Sequence, residues 1–188
     1  MRKKRWFIGF ISFSALTFTV IFLNRVQGQD DIVKRGKYLV DTVGACGQCH
    51  TPRKGADPDM SMYLAGHPAS AGYPRYDFRT MMGQDIFMVT APTMTAFAAP
   101  FGTTFATNLT PDKETGLGEW TEKMFVGALR TGRHQGVESN RKIFPPMPLK
   151  NYAEMNDEDL KSIWAYLKTV KAVKNEVPPA LNPRGRPW

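Results

Sequence analysis

The chain has 188 residues, 42% of them hydrophobic, with 14 prolines and 16 glycines, a composition that suits one loop-rich domain plus a short appendage. Its net charge of +8 is concentrated at the start: residues 1–28 carry Arg2, Lys3, Lys4, Arg5 and Arg25 and no acid, leaving 20 basic against 17 acidic residues in the rest. That near balance, with no basic patch interleaved with aromatics, excludes a nucleic-acid surface, and two cysteines are too few for a disulfide framework.

Arg2-Lys-Lys-Arg precedes an uncharged run from Trp6 to Leu23. At 1.5 Å per residue a helix over 6–23 spans about 27 Å, enough for a bilayer core. The basic cluster stays cytoplasmic and places everything after Asn24 outside. Residues 1–28 are therefore a membrane anchor or a signal peptide. The length of the run favours a retained anchor, whereas its Ser and Thr content and the small-residue site Val26-Gln27-Gly28 favour cleavage. Both readings export the domain over 29–188.

The spacing of Ile32, Leu39, Val40 and Val43 predicts a helix over 30–43, with Asp30 or Asp31 at its start and Gly44 at its stop. Gly36 inside it costs about 1 kcal/mol relative to Ala, which points to the close approach of another helix. Then comes Cys46-Gly-Gln-Cys49-His50, the attachment sequence of a c-type haem. Thiols three residues apart share one face of a helical turn and can form thioethers to both vinyl groups of one porphyrin, while the adjacent imidazole takes the iron. A thioredoxin-like pair needs a βαβ context, and a structural zinc site needs four ligands. Neither fits the helical flanks or the count of two cysteines and three histidines.

Residues 51–106 show no sustained period and read as a long irregular insertion, with one short helix around Arg79 to Met88. Six methionines between Met60 and Met94 read as apolar packing. Asn108-Leu-Thr-Pro-Asp and Thr115-Gly-Leu-Gly are turn chemistry. Thr121 caps a helix from Glu122 to Arg130 that ends at Thr131-Gly132. Asn156 followed by three acids opens a last helix to about Lys171, and 177–188 is a proline-rich tail extended over the surface.

The second axial ligand must come from ten methionines or from His67 and His134. Pro145, Pro146 and Pro148 fix φ around Met147 and remove backbone donors, giving a stiff loop that holds one thioether at a set point just before the last helix. Met147 is the expected ligand, the alternative being a core methionine on a proline turn. His67 reads as a loop histidine, His134 as a residue that does not ligate, with help to Arg130 or Arg133 in meeting a haem propionate as its lesser alternative, and Trp120 as pocket wall.

Gly36-Lys-Tyr-Leu, Cys46–His50, Asn108-Leu-Thr-Pro-Asp, Thr115-Gly-Leu-Gly-Glu-Trp-Thr, Ala128-Leu-Arg-Thr-Gly-Arg-His, Pro145-Pro-Met-Pro and Asp159-Leu-Lys-Ser-Ile-Trp-Ala-Tyr-Leu together resemble class I c-type cytochromes. The narrower resemblance is to bacterial monohaem types similar to the cytochrome c subunits of membrane-bound dehydrogenases. It covers about 30–50 and 105–178. It implies an all-α fold of orthogonal helices around one covalent haem c, thioethers at Cys46 and Cys49, and axial ligation by His50 and Met147. It further implies that the first helix crosses the last near Gly36 and the Trp164–Tyr166 face. The function it implies is one-electron transfer at the periplasmic face of the bacterial inner membrane, with a quinol-oxidising complex, a terminal oxidase or a dehydrogenase as partner, and not enzymatic turnover. Haem catalysis or gas sensing at an open sixth site is the alternative.

Overall fold

The computed structural model describes residues 28–74, 83 and 85–188. The apolar run over 6–23 lies outside the described residues, as do 79–82 and 84 of the helix expected around 79–88; the described residues of that stretch, 83 and 85–88, are turn or irregular and not helical. Among the described residues no helix is long and apolar enough to cross a membrane.

Helix α1 covers 28–38 and continues into a π-helical turn at Leu39–Val43. Gly44 closes that turn by donating its N–H to the Leu39 carbonyl at 2.7 Å. The extra residue in a π turn rotates the residues after it off the helix stripe, and Val43, expected on the buried face, is 58% exposed while Leu39 and Val40 are buried. Helix α2 is the single turn Gly47–His50. Helix α3, Glu122–Thr131, begins as its cap chemistry predicts: Thr121 Oγ1 accepts the Met124 N–H at 3.2 Å, and the Met124 sulfur takes the Thr121 N–H at 3.4 Å. Gly132, at φ 66°, ends it in the left-handed conformation that glycine adopts without strain. Helix α4 is Leu149–Ala153 and helix α5 is Asp157–Leu167. Asn156 Oδ1 caps α5 by accepting the Asp159 N–H at 2.7 Å, with three acids in the first turn. Helix α5 ends at Leu167, short of Lys171, and Lys168 at its end donates from its ammonium to the carbonyls of Leu117 and Gly118 at 3.1 and 3.0 Å.

These helices converge on one core of Leu39, Val40, Leu64, Leu117, Phe125, Leu129, Tyr152, Leu160, Ile163 and Leu167. Helix α1 crosses α5 at Gly36, where a Cβ would stand 1.8 Å from the Ser162 carbonyl oxygen and 2.8 Å from Tyr166 Cβ. The expected crossing is present, centred on Ser162 and Tyr166. Arg35 Nε and Nη2 clamp both Asp159 oxygens beside it, at 2.8 and 3.1 Å.

The all-α expectation is corrected by the strands. Strands β1 (Arg53–Lys54) and β2 (Asp57–Pro58) form a small hairpin, and β3 (Val89–Thr90), β4 (Ala96–Ala99) and β5 (Gly102–Phe105) form an antiparallel sheet in that order. All four residues of β4 are buried, so no alternation marks it in the sequence. The 177–188 segment joins the sheet: Thr103 and Leu181 exchange N–H···O bonds of 2.9 and 2.8 Å. Gly102, at φ 111°, admits that segment, since a Cβ there would lie 2.0 Å from the Leu181 carbonyl oxygen. The insertion, expected to be irregular, and the tail, expected to run over the surface, thus pair with each other around a second cluster of Ala91, Ala96 and Phe105.

Candidate functional site

Cys46, Gly47, Gln48, Cys49 and His50 sit on the α2 turn, where His50 N–H donates to the Cys46 carbonyl at 2.9 Å. Both cysteines are free and partly buried, and Cys46 packs at the margin of the main core. Burial pushes the Cys46 thiol up to about 11, and it raises Cys49 as well. A disulfide-exchange motif lowers its thiol pKa to make thiolate at neutral pH, and this pair shifts the opposite way. Nor does a group of three or more His, Cys, Asp or Glu capable of holding a metal ion gather among the described residues.

His50 is the buried member of the turn. Its Nδ1 lies 2.8 Å from the Thr107 carbonyl oxygen. A carbonyl only accepts, so Nδ1 carries the proton and Nε2 keeps its lone pair free. Burial holds the ring pKa below its ordinary value, opposed by that hydrogen bond, and keeps the imidazole neutral. The Thr107 carbonyl is aimed by the bonds on either side of it. His67 N–H donates to the Ala106 carbonyl and Leu109 N–H to the Leu64 carbonyl, each at 2.9 Å. The chain bends into that pairing at Gly66, φ 79°, whose Cβ would meet the Ala106 carbonyl oxygen at 2.5 Å. An oriented neutral imidazole with a bare Nε2 is what ligation of a haem iron requires.

Met147 lies in the Pro145–Pro148 loop and packs against the same core cluster as Cys46. The loop is anchored before and after it. Ile143 N–H donates to the Gly132 carbonyl at 2.8 Å, and Leu149 N–H to the Met147 carbonyl at 2.9 Å as α4 begins. Two helices thus hold the segment that carries the thioether. The turn, the neutral histidine and the methionine loop fit a covalently attached haem by the chemistry of their donors.

The other histidines are engaged elsewhere. His67 is fully buried, with Nε2 3.3 Å from the Ala71 carbonyl, Nδ1 2.9 Å from the Thr95 hydroxyl and the ring centroid 5.0 Å from that of Phe105. Its place is the core of the insertion, not an open loop. His134 stands edge-on to Trp120 with centroids 5.0 Å apart. Of the two arginines considered as propionate partners, Arg130 donates to the Ala153 carbonyl and to Asp157, and Arg133 to the Asn140 carbonyl at 3.2 Å.

Sequence reasoning missed two features. Thr107 acts through its backbone, which no residue type signals. Asn175 is buried where the insertion meets the helical body: its Nδ2 donates to the Ala65 and His67 carbonyls at 2.7 and 2.9 Å, and its Oδ1 accepts the Ala69 N–H at 3.0 Å. Its own N–H donates to Thr115 Oγ1 at 3.0 Å. An asparagine after a helix and before Pro178 was the available signal, and it reads equally as a solvated turn.

No family model matches the chain. It is 31% identical over 159 residues, 85% of its length, to the gluconate 2-dehydrogenase cytochrome c subunit of Pantoea cypripedii, of which the match covers 26%. It is 33% identical over 138 residues, 73% of its length, to the fructose dehydrogenase cytochrome subunit of Gluconobacter japonicus, covering 21% of that protein. A diheme cytochrome c-type protein of Cereibacter sphaeroides is 28% identical over 142 residues, 75% of this chain and 36% of its own. The chain spans between about a fifth and just over a third of the length of these relatives.

Proposed function

From the premise that the chain is similar to the cytochrome c subunits of dehydrogenases, we propose that it is an exported c-type cytochrome carrying single electrons for a dehydrogenase partner. The observation that carries the reading is the His50 imidazole, buried, neutral and held through Nδ1 by the Thr107 carbonyl at 2.8 Å. Cys46 and Cys49 would hold one haem c through thioethers, and His50 Nε2 and the Met147 thioether would supply the ligands to its iron. Bound in this way the haem supplies a one-electron Fe(II)/Fe(III) couple. With only two cysteines, the chain carries one such group.

The residues do the remainder. The Thr107 carbonyl fixes the His50 tautomer and ring plane, so neither changes with the charge on the metal. The proline-bounded loop keeps the Met147 thioether in one place, and a soft neutral ligand favours the reduced state relative to a second imidazole. With His50 and Met147 both given to the iron, the chain would leave no place for exogenous ligands, which separates a carrier from a haem catalyst or gas sensor. The run over 6–23 retains the domain at the periplasmic face of the inner membrane, where a dehydrogenase or a quinol-oxidising complex gives electrons and a terminal oxidase takes them. Redox encounters of this kind use small interfaces.

The test is the reduced holoprotein exposed to CO at neutral pH. The carrier reading expects an unchanged spectrum and reversible one-electron oxidation. Rapid stoichiometric CO binding would put an open-site haem protein in its place.

A further inference from the structure

Segment 143–148 has an uncommon way of being held. Three of its residues, Pro145, Pro146 and Pro148, have no backbone N–H to give, so its position depends on its flanks and on its side chains. One side chain is Phe144, three residues before Met147. Its ring stacks on two others: Phe101, from the turn between β4 and β5, lies nearly parallel to it at 6.2 Å between centroids and 10° between planes, and Trp188 lies at 5.2 Å and 29°. Trp188 is itself carried by a hairpin. Leu181 pairs with Thr103, Trp188 N–H donates to the Ala180 carbonyl at 3.1 Å, and Asn182 Oδ1 accepts the N–H groups of Arg184 and Arg186 at 2.9 and 3.3 Å to make the turn between. The three rings therefore join the insertion sheet, the methionine loop and the last segment of the chain at one point.

We infer that Phe144, held by Phe101 and Trp188, is a positioning residue that keeps the Met147 thioether in its axial place, so that the insertion and the 177–188 segment act as a latch on the sixth ligand. The inference rests on the reading of Met147 as that ligand. The physical reason is population. Stacked rings favour the one loop position in which all three meet, and the thioether is at its station only while the loop is there. Trp188 is 61% exposed, so one side of the ring cluster borders solvent and the latch is the weak point of the loop rather than part of the core.

An outside ligand reports the unlatched state, because its apparent dissociation constant scales inversely with the fraction of molecules whose sixth site is open. The experiment is cyanide titration of the ferric holoprotein, with the thioether-to-iron charge-transfer band at the red end of the spectrum followed in parallel. Thermal unfolding by far-ultraviolet circular dichroism checks each variant's fold. The variants are Trp188→Ala, Phe144→Ala, Trp188→Phe and Met147→Ala. Trp188→Ala should tighten apparent cyanide affinity roughly fivefold and Phe144→Ala roughly tenfold, with the band lost at lower temperature in each, while Trp188→Phe stays near wild type. A general loss of stability would lower the unfolding midpoint without this selective gain in cyanide affinity. If Phe144→Ala does not fold, Trp188→Ala alone is decisive.

The latch is overturned if Trp188→Ala and Phe144→Ala bind cyanide as wild type does while Met147→Ala binds it far more tightly; the ligand reading then stands without it. If wild type shows no band, or Met147→Ala changes neither band nor cyanide affinity, the ligand reading fails and the latch falls with it.

Discussion

Gly36 and Ser162 are in backbone contact: a Cβ on residue 36 would lie 1.8 Å from the Ser162 carbonyl oxygen and 2.6 Å from its carbon. The groups it would strike are main-chain atoms of α5, which cannot swing aside. Gly36→Ala gains about 1 kcal/mol of helix propensity and loses more by forcing two helices apart. A net destabilisation of about 2–3 kcal/mol is expected, at the upper end of overpacking costs. Urea unfolding of the holoprotein measures it, and equal or greater stability in the variant would mean that the helices do not cross so closely.

Replacing both Cys46 and Cys49 with Ala should leave haem extractable by acid–acetone and the chain poorly folded. The porphyrin and its tether would both be lost from a core against which Cys46 now packs. Haem that resists extraction in the double variant would refute thioether attachment.

Asn175→Ala removes two buried hydrogen bonds and one half-buried one in one step and leaves the Ala65 and His67 carbonyls and the Ala69 N–H without the Asn175 side chain. The expected cost is about 3 kcal/mol, from desolvated groups left unpaired. Hydrogen exchange should locate the loss at residues 64–71, where the insertion meets the body. Unchanged protection there would remove Asn175 from its bridging place.

His67 makes the insertion sensitive to acid. Burial lowers its pKa below the ordinary 6.5, so the native ring resists a proton that the unfolded chain accepts. Its contribution to stability is complete above about pH 6.5 and declines as pH falls towards the depressed native value. Thermal midpoints at about pH 7.5 and about pH 5 should therefore differ more in wild type than in His67→Asn. An equal pH dependence in the two proteins would show that His67 is not the group responsible.

The run over 6–23 should keep the protein with the membrane through washes in high salt or carbonate and release it only to detergent. Salt screens the four basic residues at 2–5 but leaves the apolar contact with lipid intact. Recovery of a mature chain beginning at Gln29 in the soluble periplasmic fraction would identify the run as a signal peptide.

What the sequence by itself determined is local chemistry. Thr121 and Asn156 begin their helices and Gly132 ends one, because a cap joins residues within a turn of each other. The motif Cys46, Cys49 and His50 was legible for the same reason, because its three donors lie on one turn. Gly36 announced a close neighbour without saying which atoms of it would be met. The strands were not legible: β1 to β3 have two residues each, and β4 is buried throughout, so neither length nor alternation marks them. Nor could any pattern show that Leu181 pairs with Thr103, or that the Thr107 carbonyl reaches His50 across 57 positions of chain. Those contacts join distant segments through backbone atoms that every residue shares, so only the tertiary structure, by bringing the segments together, decides which of them meet.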